Sequence, residues 1–252
     1  MFIGMGFWAG ESTDPAAFVT PALVQKGTGN TTANGGTTAT VTLPNAVAGH
    51  KIIVTTAASQ SDRGTTVATP TSVSAGAATS PFVNNAVGEF SVSTDTEGHQ
   101  VSIWSADITV SGTLTVTVTW PNSGNWAQVT VSEWSGVASG AAIDQLAYSS
   151  GHTTAGQKAA GVGPTGATGF PKELVIAVFG AGGFTNNALI STPATSGYAN
   201  LGFDQDATSI CAYSADSKVA SAVGAQSASW DTIDDLAGDW SAAIATFKAK
   251  AA

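Results

Sequence analysis

Charge is what this chain has least of. Asp, Glu, Lys and Arg make up 10% of its 252 residues, against about a quarter in an ordinary soluble domain. Thr, Ser, Gly and Ala take their place, so the surface is expected to be neutral and polar. Few charges then have to lose their water when a partner covers it. That favours a protein living among neighbours over a freely diffusing enzyme. Basic residues are scarcer still: 8 Lys plus Arg stand against 17 Asp plus Glu, for a formal net charge of −9. Binding to nucleic acid through its phosphates is excluded on this balance. In a particle that contains nucleic acid, such a chain belongs on the outside. Cys211 is the sole cysteine, which rules out an internal disulfide. The segment around it, TSICAYSAD, reads as a strand holding a buried, inert thiol. Long hydrophobic runs are missing too. The longest, LVIAVFGAGGF at residues 174–184, is about half a membrane span. The opening MFIGMGFWAGESTDP lacks the basic start and long apolar centre of a signal peptide. A soluble protein with no membrane partner is expected.

What is present is period two. Alternating or β-branched runs occupy residues 37–44, 51–59, 89–95, 100–110, 113–120, 127–134, 172–180, 208–216, 225–230 and 240–248, separated by clusters of Gly, Asn, Pro, Ser and Asp. No stretch carries a capped helical stripe. The expected fold is all-β: a jelly-roll-like antiparallel β-sandwich forming one domain over residues 21–252, preceded by an extended arm at 1–20. Residues 151–172, GHTTAGQKAAGVGPTGATGFPK, are expected to be a long excursion between strands. Residues 36–44 and 112–121 resemble each other, as convergent Thr-rich strands would. In the second run Leu114, Val116, Val118 and Trp120 should face the core, and Thr113, Thr115, Thr117 and Thr119 the outside.

Chemistry is hard to assemble. His50 and His99 sit in turn contexts, AGHK and EGHQ, and His152 in the soft segment; no metal-binding His pair or nucleophile elbow occurs. Ser139 in GVASG is misplaced for such an elbow. Asp231, Asp234, Asp235 and Asp239 cluster in WDTIDDLAGDW. They suit a Ca²⁺ loop less well than a turn in which Asp bonds its own backbone. Asp204 and Asp206 in FDQDA make a weaker acidic pair. No catalytic residue, metal or cofactor is expected. Trp120 and Trp126 bracket the connection PNSGN. With Asn122 and Asn125 they are glycan-platform candidates, unless both rings wedge the end of the sandwich. Phe2, Ile3, Phe7 and Trp8 precede the first charge, Glu11, and are expected to dock the arm on a partner subunit.

Taken in order, ALVQKGTG, TTATVTLPNAVAGHKIIV, TLTVTVTW, VTVSEWSGV, KELVIAVFGAGG, SASWD and DWSAAIATFK resemble a β-sandwich module of tailed-bacteriophage structural proteins and some bacterial surface proteins. Glu133-Trp134-Ser135-Gly136 and the run from Trp240 to Phe247 carry most of the likeness, which covers roughly residues 21–249. Such modules serve as decoration proteins, fibre heads and adhesion domains, and no catalytic residues come with them. The resemblance implies a non-enzymatic virion protein on the particle's outer surface, most simply a capsid decoration or cement protein. Its partners would be the major capsid protein or other virion subunits, and it would form a homo-oligomer, a trimer at a guess. A glycan- or receptor-binding module of a tail, fibre or bacterial surface protein is the alternative.

Overall fold

Strands alternate their side chains between two faces, so a strand that is apolar on one face covers a core and one that is apolar on both must be sandwiched. Both kinds occur here, and their distribution builds the molecule. The computed structural model describes residues 17–31, 36–60, 69–90, 98–121, 125–153, 159–182, 197–206, 211–231 and 238–252. The arm residues Phe2, Ile3, Phe7 and Trp8 lie outside them. A 3₁₀ turn spans Gly76–Ala78, and among the described residues no helix is long and apolar enough to cross a membrane.

The first half of the chain gives β1 (Ala22–Asn30), β2 (Thr38–Ala46), β3 (Lys51–Gln60), β4 (Ser72–Ser74), β5 (Val83–Phe90), β6 (Gly98–Asp107), β7 (Gly112–Thr119) and β8 (Asn125–Ser135). The second gives β9 (Ile143–Thr153), β10 (Ala159–Val162), β11 (Leu174–Gly182), β12 (Ala199–Asp206), β13 (Cys211–Val219), β14 (Ala228–Asp231) and β15 (Gly238–Phe247). In the first half β1-β8-β3-β6-β5 form a five-stranded sheet facing a three-stranded sheet β2-β7-β4. In the second, β9-β15-β11-β13-β12 face β10-β14. Every ladder is antiparallel, and the pairs nest: β1 with β8, β2 with β7, β3 with β6, then β9 with β15, β10 with β14, β11 with β13. Nested hairpins rolled into two layers are the jelly-roll arrangement.

The halves therefore repeat one topology, down to local irregularities. Edge strand β5 slips register between Asn84 and Ala86, and its counterpart β12 slips between Asn200 and Gly202. Within residues 21–252, expected to be one sandwich, the chain carries two sandwich units. The likeness of 36–44 to 112–121 lies inside the first unit, where β2 and β7 are paired neighbours.

The two five-stranded sheets pack against each other, giving four layers. β11 shows why. Val175, Ala177, Phe179 and Ala181 face the outer layer with Trp230 and Trp240. Leu174, Ile176 and Val178 face the other unit, meeting Ile53, Ala57, Val101 and Ile103. Its unbroken apolar run is the signature of a strand buried on both faces. β3 behaves likewise, with Ile52, Val54 and Ala58 in the outer core and Ile53 and Ala57 between the units. Segment 151–172, expected to be an excursion, contains strand β10. Ala160 and Val162 there are buried beside Trp230, which gives this short Ala-Gly run a reason to pair.

Small residues let the sheets close. A Cβ on Gly88 would lie 2.6 Å from the backbone oxygen of Ala242 in β15. Gly88→Ala would normally help a strand, but here backbone must move. We expect it to lower unfolding free energy by about 1–3 kcal/mol with an unchanged urea m-value. No loss would mean that the sheets are not in contact at β5.

Candidate functional site

The outer face of the three-stranded sheet answers what the neutral strands are for structurally. Thr38, Thr40 and Thr42 of β2 stand opposite Thr119, Thr117 and Thr115 of β7. On the far side Ser72 and Ser74 of β4 stand opposite Thr119 and Thr117. Hydroxyls thus repeat about 6.8 Å apart along each strand and about 4.8 Å between strands. Thr42 and Thr115 bond hydroxyl to hydroxyl at 3.0 Å. Beneath them Val41, Leu43, Leu114, Val116 and Val118 fill the core. The expected inward and outward sets of 113–120 are therefore the observed ones, with Thr117 and Thr119 half-buried by β4. None of the three strands holds a charged residue. β-Branched Thr satisfies strand propensity, and each hydroxyl both donates and accepts. The result is a flat polar patch without a charge to desolvate.

The tryptophan platform does not form. Trp120 is 1% exposed, inside the core beneath the threonine sheet. Trp126 is half-buried and packs on the opposite side of its sheet, against the core between the units. A sugar has no face of Trp120 to stack on, and the two rings cannot share one plane of contact. β7 is filled to its end by inward residues, and Trp120 simply continues that row. Asn122 lies outside the described residues, as does the side chain of Asn125.

Ionisable groups gather at the opposite end of the sandwich and fasten elements together. Glu133 is fully buried and accepts from His50 Nδ1 at 2.6 Å, Gln25 Nε2 at 2.5 Å and the Val47 N–H at 3.0 Å. Its oxygens are occupied in tying β1, β8 and the β2–β3 turn. Lys51, 2% exposed, pairs with Asp107 at 2.5 Å and donates to the Gly140 carbonyl, whose N–H in turn donates to Asp107. That pair clamps the connection between the two units. His99 begins β6 and is buried rather than set in a turn, and His152 belongs to β9. Asp231 is exposed at the end of β14 and Asp239 is buried in β15. Asp234 and Asp235 lie outside the described residues. Among those described, no three His, Cys, Asp or Glu side chains are grouped to hold a metal.

One group is poised near neutrality. Glu173 accepts from the Phe170 N–H at 3.1 Å. Burial pushes its carboxyl up to about 7; the Thr246 hydroxyl opposes this, and the neighbouring Asp144 carboxylate adds to it. Sequence gave no sign of this pair, because Asp144 and Glu173 belong to segments far apart in the chain. An unfolded Glu releases its proton near 4.5. Between pH 4.5 and 7 the folded state therefore holds a proton that the unfolded state has lost, and stability falls as pH rises through that window. Glu173→Gln stays neutral. It should match the parent near pH 4.5 and exceed it at pH 8 by on the order of 3 kcal/mol. Urea titrations at both values check this, and equal slopes for the two proteins would refute it.

Comparison with protein-family models, curated proteins and solved structures finds no match for this chain.

Proposed function

We propose that this protein is a non-enzymatic structural subunit that builds into a larger assembly, an outer capsid decoration or cement protein of a virus particle. The observation that carries the reading is the charge-free hydroxyl patch of Thr38, Thr40, Thr42, Thr115, Ser72 and Ser74. A neighbouring subunit laid on it gives up little hydration, and hydroxyls rotate to meet either donors or acceptors. An area of about 1,600 Å² suffices for one specific contact. Many copies on a symmetric particle multiply a weak contact through avidity. The acidic balance of −9 supports an outer position, away from packed phosphate. The ionisable clusters support a non-enzymatic role, since Glu133, Lys51 and Asp107 are spent on joining elements. The resemblance to phage structural modules points the same way, with the major capsid protein or another virion subunit as partner and a homo-oligomer as the natural copy state.

The test is add-back. Particles stripped of the protein should lose resistance to heat and osmotic shock and regain it with the wild-type chain. A chain carrying Thr40→Lys and Thr115→Lys should fold within about 0.5 kcal/mol per substitution of the parent, yet fail to restore resistance. Stripped particles that prove as robust as complete ones would end the cement reading. Full rescue by the lysine variant would remove the threonine face from it.

A further inference from the structure

Where the two units meet, edge strands β1 and β12 run alongside each other and leave a groove of about 330 Å³ between the sheets. Thr28 and Asn30 line it from β1, Gln128 from β8, Phe203 and Asp204 from β12, and Tyr213 from β13. Both units thus supply its walls. We propose that this groove binds a neutral saccharide.

The lining selects that chemistry. Its polar groups are the Thr28 hydroxyl, the Asn30 and Gln128 carboxamides and the Asp204 carboxylate, the set that hydrogen-bonds adjacent sugar hydroxyls, each of which donates and accepts. Among the described residues no cation lines it, and the Asp204 carboxylate disfavours phosphates and acidic sugars. An apolar ligand would strip water from the exposed Thr28 hydroxyl and Asn30 carboxamide without replacing it. The volume stands at the lower end of ligand sites, which span roughly 300–1,000 Å³, and suits one or two sugar rings.

The base of the groove is held before any ligand arrives. Gln128, 4% exposed, donates its amide N–H to the Asp204 carboxylate across the seam. Tyr213 is buried and fixed by Thr55 at 2.8 Å. Asn200 and Lys26 staple the two edge strands nearby, the lysine donating to the Asn200 carbonyl at 2.8 Å. At the mouth Thr28 and Asn30 are exposed and adjustable. A floor fixed in advance lowers the ordering cost of binding a flexible, hydrated ligand.

The groove is independent of the threonine face, so its test leaves the assembly reading untouched. The full chain would be screened on an array of neutral and acidic glycans. It would then be titrated by ¹⁵N–¹H NMR with maltose, N-acetylglucosamine and methyl galactoside. Binding to neutral glycans is expected, with shifts confined to Thr28, Asn30, Gln128 and Asp204. Thr28→Val and Asn30→Ala, both at exposed positions, should each weaken binding about tenfold without changing the fold. Gln128→Leu should abolish it, provided the NMR spectrum stays native. Silence across the neutral glycans, a preference for acidic ones, or shifts centred elsewhere would each overturn the proposal.

Discussion

Everything in this molecule follows from the pressing together of two five-stranded sheets. A sheet in a simple sandwich has one face to hide, but β3 and β11 have two, and each unit leaves an apolar face that only the other covers. Ile53, Ala57, Val101 and Ile103 on one side meet Ile176, Val178, Ala243, Ala245 and Phe247 on the other. Burial of that size dominates the energetics at roughly 25 cal/mol for each Å² of apolar surface removed from water. It also dictates the fine structure. Gly180 packs tightly on the side chains of Ala57 and Val101, and Gly88 abuts the backbone of β15. The seam's polar links, Thr55 with Tyr213 and Gln128 with Asp204, belong to side chains turned inward toward the partner sheet. Once the middle of the stack is fixed, the outer layers have a single task, to cover the remaining face. Two or three short strands are enough for it.

How much of this is legible in the chain depends on the strand. Period two identifies β2, β3, β6, β7 and β8 because Val, Ile and Thr alternate there, and it identifies the fold class with them. Segment 174–182 reads as a buried strand from its apolar run, but nothing in the run says that a second sandwich lies on its far side. β1 (ALVQKGTGN), β9 (IDQLAYSSGHT) and β12 (ANLGFDQD) pass unnoticed. They are edge strands, with one neighbour each, and their glycines serve close approaches rather than propensity. Gly27 and Gly29 of β1 lie against Val41, and Gly202 of β12 lies against Thr130. Trp120 misleads for a related reason. Beside a turn its ring looks available, yet it ends an inward-facing row. The groove is invisible for a deeper reason: Asn30, Gln128 and Asp204 come from both units, and only the repeat of topology brings them together.

The repeat also shows what drifts and what holds. Strand order and the slip in one edge strand, β5 or β12, persist in both units. The polar anchors do not. In the first unit Glu133 on β8 is satisfied by His50 and Gln25. In the second, Thr246 lies on β15, the counterpart strand, and the carboxylates are Asp144 and Glu173, set beside one another. Both carboxylates accept hydrogen bonds, but burial and the neighbouring Asp144 carboxylate push Glu173 up to about 7. Topology is fixed by which faces must be covered, a constraint spread over dozens of side chains. An anchor depends on two or three residues and is easily exchanged for another.

The outer threonine face and the seam groove are oriented differently, and this links them. The threonine patch lies on the broad outer side of the first unit, two layers away from the second. The groove opens along the edge where β1 and β12 end the stacked sheets. A subunit lying flat on its threonine face would keep that edge exposed at its flank. Attachment and recognition would then draw on separate surfaces, and a substitution in one need not disturb the other. A single sandwich has no such seam, because the groove is made by setting the edge of one sheet over the edge of another. Stacking two copies of one topology therefore buries apolar surface and also creates a polar concavity that neither copy has alone.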